Sequence, residues 1–178
     1  MISYDSDEAT GILPYTDAMV SVTSAPLSVE RLTAEVEVSV RTRGEGCGAV
    51  ASFVGLVRAT HAGRAVRYLE YEAYDALAIT VFRQIQDEVA GRWPGAALGI
   101  AHRVGRLAIG EASIVIVAAT AHRAEAFQVC RYAIERVKQI APVWKHEFFE
   151  DGEAWVEGAV ADPTDEAARA HALAIACA

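Results

Sequence analysis

The chain has 178 residues, 16 of them basic and 24 acidic, for a formal net charge of -8. That length suits one domain with a proper core, and the acidic balance argues against a general nucleic-acid surface, because phosphate backbones select basic faces. No apolar run approaches the roughly 20 residues of a membrane-spanning helix, and the first twenty residues carry Asp5, Asp7, Glu8 and Asp17 without Lys or Arg, which speaks against a secretory or mitochondrial leader and predicts a cytoplasmic protein.

Residues 1–19 read as a poorly ordered acidic extension. A first strand is expected over 19–24, where Val20 and Val22 alternate with polar neighbours. Ser28 can cap a helix that starts near Val29. Residues 43–48 form a glycine-rich turn, and 49–58 a nearly continuous apolar strand ending at Arg58. Residues 59–64 read as a mobile loop hinged at Gly63. Over 66–74 the pattern alternates, with Val66, Tyr68, Glu70 and Glu72 on one side and Arg67, Leu69, Tyr71 and Ala73 on the other. Helical spacing through Leu77, Val81, Ile85 and Val89 predicts a helix over 76–92 that stops before Pro94.

A strand over 98–104 leads into a turn around Gly105 and Gly110, and 112–119 reads as a buried strand. A second long helix over 121–140 would bury a stripe of Phe127, Cys130, Ile134 and Val137, and Pro142 prevents its continuation. Residues 143–149 alternate as a strand. Asp151-Gly152 is a hairpin signal, with a returning strand over 154–160. Asp162-Pro163-Thr164 starts a final alanine-rich helix. Strands interspersed with two long helices predict an α+β domain.

Only two of the basic residues are lysines, Lys138 and Lys145, and they lie close together. Arginine keeps its proton in proteins, whereas lysine can release one and act as a nucleophile or base. Each lysine also has a bland reading. Lys138 near a helix C-terminus suits the helix dipole, and Lys145 could be a solvated strand residue paired with Glu147. His122 and Arg123 open the second long helix, where free N–H groups attract anions. A cation at that end opposes the dipole, and an anionic ligand would account for it, although His122 could equally be solvated or satisfied in the cap. Arg123 and Lys138 are separated by ~22 Å of helix. A compact ligand cannot touch both in one subunit, so there are either two sites or one site built from two copies; a C2 dimer is the favoured reading.

Cys47, Cys130 and Cys177 are widely spaced and include no CxxC, so they form neither a disulfide framework nor a zinc site. Cys130 reads as a core filler. Two rival readings remain open: a non-catalytic module that binds a carrier protein or a phosphorylated ligand, and an enzyme with Cys130 or Cys47 as persulfide carrier.

Six segments carry a family likeness: 48–58 (GAVASFVGLVR), 69–74 (LEYEAY), 102–107 (HRVGRL), 121–127 (AHRAEAF), 142–147 (PVWKHE) and 155–157 (WVE). Over roughly 20–160 the chain resembles the large, catalytic subunits of molybdopterin synthase. The resemblance divides the chain into an extension over 1–19, a family-like domain over 20–160 and a helical tail over 161–178. It implies an α/β hammerhead-type single domain with additional antiparallel strands. It also implies a sulfurtransferase of molybdenum cofactor biosynthesis that needs no cofactor and no metal. The implied assembly is a heterotetramer in which a central homodimer binds two small ubiquitin-like sulfur-carrier subunits, each with a C-terminal Gly-Gly thiocarboxylate. The implied substrate is cyclic pyranopterin monophosphate (precursor Z), which receives two sulfurs to form the dithiolene of molybdopterin.

By position, Leu56, Val57, Arg58, His122, Arg123, Lys138, Lys145, His146 and Glu147 fall where the family binds substrate. Lys138 is the expected amine that attacks or positions the thiocarboxylate carbonyl, and Lys145 the proton-transfer or charge-stabilising partner. His146 stands where relatives often have arginine, and the loop over 59–63 departs from the commoner asparagine-containing form.

Overall fold

The computed structural model describes residues 19–44, 46–156, 158 and 161–178. Chain order runs β1 (Val20–Thr23), α1 (Val29–Thr42), β2 (Ala49–Leu56), β3 (Thr60–His61) and β4 (Arg64–Ala73). It continues through α2 (Asp75–Arg92), β5 (Ala97–Arg103), β6 (Gly105–Ala108), β7 (Ala112–Thr120) and α3 (Arg123–Ile140), and closes with β8 (Val143–Phe149), β9 (Gly152–Val156) and α4 (Glu166–Ala176). The fold is α+β, with helices packed on one of two sheets. Among the described residues no helix is long and apolar enough to cross a membrane.

The first sheet has the order β1-β5-β7-β2. Its central strand β7 is apolar almost throughout because both faces are covered. Val115 and Val117 meet Leu32, Val36 and Val40 of α1. Ile114, Ile116 and Ala118 pack with Phe82 and Ile85 of α2 and Val129 and Ala133 of α3. Truncating a buried aromatic such as Phe82 to alanine costs ~3–5 kcal/mol. Gly99 marks the closest approach of α1, since a Cβ there would lie 2.8 Å from Leu32 and Val36 side-chain atoms. Ser28 caps α1 as its sequence position predicts, accepting from the Arg31 N–H at 3.1 Å.

The second sheet has the order β3-β4-β8-β9, with β6 also paired to β4. Here the structure departs from the sequence reading in several places. Residues 59–64 are not a hinged loop: β3 and β4 form a tight hairpin in which His61 pairs with Arg64. Its turn residues Ala62 and Gly63 have φ of 48° and 77°, the left-handed pair whose twist matches that of the flanking strands. A register shift between Val66 and Tyr68 bulges β4, so Val66 and Leu69, placed on opposite sides by strict alternation, turn into one cluster with Val57, Leu107 and Phe149. The expected turn near Gly105 contains β6, whose Leu107 completes that cluster.

Phe127 does not join the buried stripe of α3; it is 68% exposed. Cys130, Ile134 and Val137 are buried as expected, with Ala126, Val129, Ala133 and Ile140 beside them, and Phe127 lies about 100° round the helix from Ala126. The returning strand ends at Val156; of its expected continuation, 157, 159 and 160 lie outside the described residues, as does the extension over 1–18. The last helix starts at Glu166 with Asp165 as its cap, accepting from Ala167 and Ala168 at 2.8 and 3.2 Å.

A polar clamp ties this tail to the body. Arg136 of α3 is fully buried. It donates to Glu88 of α2 through Nε at 2.8 Å and Nη2 at 2.7 Å, and to the Pro163 carbonyl at 3.2 Å. Tyr132 and Gln84 also donate to Glu88, at 2.8 and 3.1 Å. Burial pushes the Glu88 carboxyl up, but the hydrogen bonds from Arg136 and Tyr132 outweigh it and hold the group below its ordinary value.

Candidate active site

Pro142 follows α3 and sends the chain back as β8, antiparallel to β4. Alternation along β8 directs Lys145 and Glu147 to one face and Trp144, His146 and Phe148 to the other. The last turn of α3 carries Lys138. The side chains of Lys138, Lys145 and Glu147 line one cavity of about 800 Å³, within the size range of small-molecule sites. Leu56 and Arg58 reach it from the end of β2, and Ile134, Val137 and Val143 supply apolar wall.

Glu147 is the anchor of the wall. Its side chain is 3% exposed and its two oxygens have different partners: Oε1 accepts from Lys145 Nζ at 2.6 Å and Oε2 from His61 Nδ1 at 2.5 Å. Burial raises the Glu147 carboxyl, and the hydrogen bonds from Lys145 and His61 overcome it, so the group is held below the usual carboxylate value. An ionised carboxylate only accepts, so Nδ1 of His61 carries the proton. Among the described residues no hydrogen bond or ion pair holds the Lys138 amine or the Arg58 guanidinium. Both are thus free for a ligand.

His102 lines the same cavity from β5. It is 6% exposed, donates from Nδ1 to the Arg103 carbonyl at 2.9 Å, and meets the Tyr71 ring edge-on at 5.3 Å. Burial depresses it to about 4, so it is neutral at physiological pH. His61, His102 and Tyr71 were not singled out in the sequence. Tyr71 and His102 fall inside two of the family-like segments, whereas the signal for His61 would have been the hairpin that brings it over β8.

Other expected residues lie elsewhere in the single chain. Val57 is buried in the small cluster with Leu69 and Phe149. His146 turns to the outer face of the sheet and stacks on Trp155 with ring centroids 4.3 Å apart. His122 and Arg123 are exposed at the start of α3 and do not line the cavity; His122 is the cap residue, with no side-chain hydrogen bond into the helix. Cys130 is buried in the core and its thiol is pushed up to about 11 by that burial, which makes it a poor nucleophile. Among the described residues no group of three or more His, Cys, Asp or Glu side chains is placed to hold a metal ion.

Residues 22–140 match the family model described as "MoaE protein". The molybdopterin synthase catalytic subunit of Bacillus subtilis is 42% identical over 135 residues, covering 76% of this chain and 82% of the relative. That of Halalkalibacterium halodurans is 48% identical over 109 residues, covering 61% and 70%. The crystal structure of molybdopterin synthase from Staphylococcus aureus superposes with a TM-score of 0.71 at 36% identity, covering 77% of this chain and 96% of that one. A complex of subunits 1 and 2 of the molybdopterin-converting factor from Helicobacter pylori gives a TM-score of 0.63 at 24% identity, covering 79% and 91%, a likeness of fold alone.

Proposed function

Because the chain belongs to the MoaE protein family, we propose that the cavity bounded by Lys138, Lys145 and Glu147 is where it carries out the work of a molybdopterin synthase catalytic subunit. The chain is a sulfurtransferase-type enzyme of the molybdenum cofactor pathway. The substrate is cyclic pyranopterin monophosphate, and the sulfur arrives as the C-terminal thiocarboxylate of a small ubiquitin-like carrier subunit. The observation that carries this reading is that the chain's only two lysines converge on one cavity wall, beside an ionised carboxylate.

The chemistry assigns the two amines different work. Lys138, without a partner among the described residues, adds its neutral amine to the thiocarboxylate carbonyl or positions that group. On addition the C–S bond breaks and the sulfur leaves as hydrosulfide for the pterin; water then cleaves the amide to release the carrier as its carboxylate. Lys145, held by Glu147, offers its remaining N–H groups to the charge that develops on that carbonyl. The apolar wall of Ile134, Val137 and Val143 keeps water from the activated acyl group. Arg58 suits the anionic substrate. His122 and Arg123 lie ~22 Å along α3 from Lys138, so they serve the same site through a second copy related by a two-fold axis. The working assembly is a central dimer with one carrier on each copy, in the cytoplasm.

The direct test is to mix this protein with a thiocarboxylated small carrier and cyclic pyranopterin monophosphate, and to assay the dithiolene product by oxidation to its fluorescent pterin. Dithiolene formation that depends on this chain is the expected result. Failure to form it with an active carrier and authentic precursor overturns the reading.

A further inference from the structure

His61 sits on a short hairpin that is fastened at both ends of its width. On the outer side its register partner Arg64 donates to Asp151 from Nε at 3.0 Å and Nη2 at 2.7 Å, and lies 3.7 Å over the Phe149 ring. On the inner side His61 reaches Glu147, 86 residues away in sequence. The turn between them is two residues long and tightly specified, with Ala62 and Gly63 both at positive φ. The hairpin therefore delivers one imidazole nitrogen to one carboxylate oxygen.

That delivery matters because of how a carboxylate can move. The last torsion of glutamate is broad and roughly two-fold. Held only by Lys145, the Glu147 carboxylate could swing or chelate the ammonium with both oxygens. With Oε2 fixed by His61, Oε1 alone faces Lys145, and the plane of the carboxylate sets the direction in which the amine points. We propose that His61 is a positioning residue that locks the Glu147 carboxylate and thereby aims the Lys145 amine into the cavity. The proposal rests on the reading of Lys145 as a working group of the site.

With only two lysines in the chain, the test has a clean signal. In protein labelled with [ε-¹³C]lysine, two side-chain resonances appear, assigned by Lys138→Arg. His61→Ala should shift and broaden the Lys145 resonance and leave that of Lys138 in place. His61→Asn, whose amide still donates to Oε2, should return it to the wild-type position. In the reconstituted complex, His61→Ala should lower kcat about 5- to 10-fold with KM for the pterin within about twofold, and His61→Asn should restore kcat to within about twofold. A Lys145 resonance that ignores His61→Ala, or moves equally in the Ala and Asn variants, overturns the proposal. The resonance is read without turnover. If it responds to His61 while Lys145→Ala retains full activity, the positioning stands and the catalytic role of Lys145 falls.

Discussion

Two buried carboxylates in this molecule are treated in opposite ways. Where α2, α3 and the segment before α4 meet, Glu88 keeps 8% of its side chain exposed and accepts from Arg136, Tyr132 and Gln84. In the cavity wall Glu147 keeps 3% and, among the described residues, accepts from Lys145 and His61. The first is closed by a guanidinium, a planar fork that occupies both oxygens and cannot lose its proton. The second is faced by an ammonium, a point charge that uses one oxygen and has N–H groups left over. Arginine in this chain does structural work at the clamp, and lysine stands where a proton or a bond can be exchanged.

The comparison can be broken most forcefully at the clamp. Arg136→Ala leaves Glu88 buried without its ion partner and should cost ~3–5 kcal/mol in denaturant unfolding. Arg136→Lys should recover only part of this, because an ammonium cannot reproduce the bidentate geometry. Wild-type unfolding of Arg136→Ala would mean that the clamp does not hold the tail.

Acid should act on both regions, after first acting on His102. Its folded-state value is depressed to about 4 from an ordinary 6.5, so the unfolded chain binds the proton first. The stability due to neutral His102 is fully present above pH 6.5 and is lost as the pH falls towards 4, on the order of 3 kcal/mol in all. Glu88 and Glu147 are both held below their ordinary values, so their contribution is present above the usual carboxylate range and disappears as pH falls through it. Unfolding midpoints between pH 7 and pH 4.5 should therefore fall steadily in the wild type and much less in His102→Gln. Equal slopes would remove His102 from the account.

At the cavity the expected effect is on rate rather than stability. Lys138→Ala should lower dithiolene formation ~100-fold, equivalent to about 2.7 kcal/mol, with the unfolding midpoint nearly unchanged, since the amine is held by no partner among the described residues. The smallest effect should come from the thiols. Replacing Cys47, Cys130 and Cys177 by serine should keep activity within about twofold and cost ~1 kcal/mol of stability, from the buried hydroxyl at 130. Loss of activity in that variant would revive a persulfide mechanism.

How legible each region was follows from the kind of signal it carries. The first sheet and its helices were readable because their signals are local: a serine before α1, a continuous apolar run in β7, a proline after α3. Phe127 departs from its expected place because a stripe can be drawn through it at helical spacing, whereas the helix turns Ala126 inward. In the second sheet the signals depend on partners far along the chain. The Ala62-Gly63 turn lacks the usual Asn-Gly signature, so the segment carries no local hairpin signal and none for His61. The bulge that turns Val66 and Leu69 to the same side leaves no trace in an alternating pattern. Lys138 and Lys145 were visible through their rarity, and Glu147 through its two-residue spacing from Lys145. His122 and Arg123 were visible as cations at the unfavourable end of a helix, but their distance from the cavity requires a second chain.

The central claim is that the amines, and not simply positive charge, do the work at this cavity. It is tested most directly by single-turnover dithiolene formation with Lys138→Arg and Lys145→Arg in the complex with thiocarboxylated carrier. The account predicts that Lys138→Arg is as slow as Lys138→Ala although its charge is kept. Wild-type rates in both arginine variants would contradict it and leave the cavity as a binding site alone.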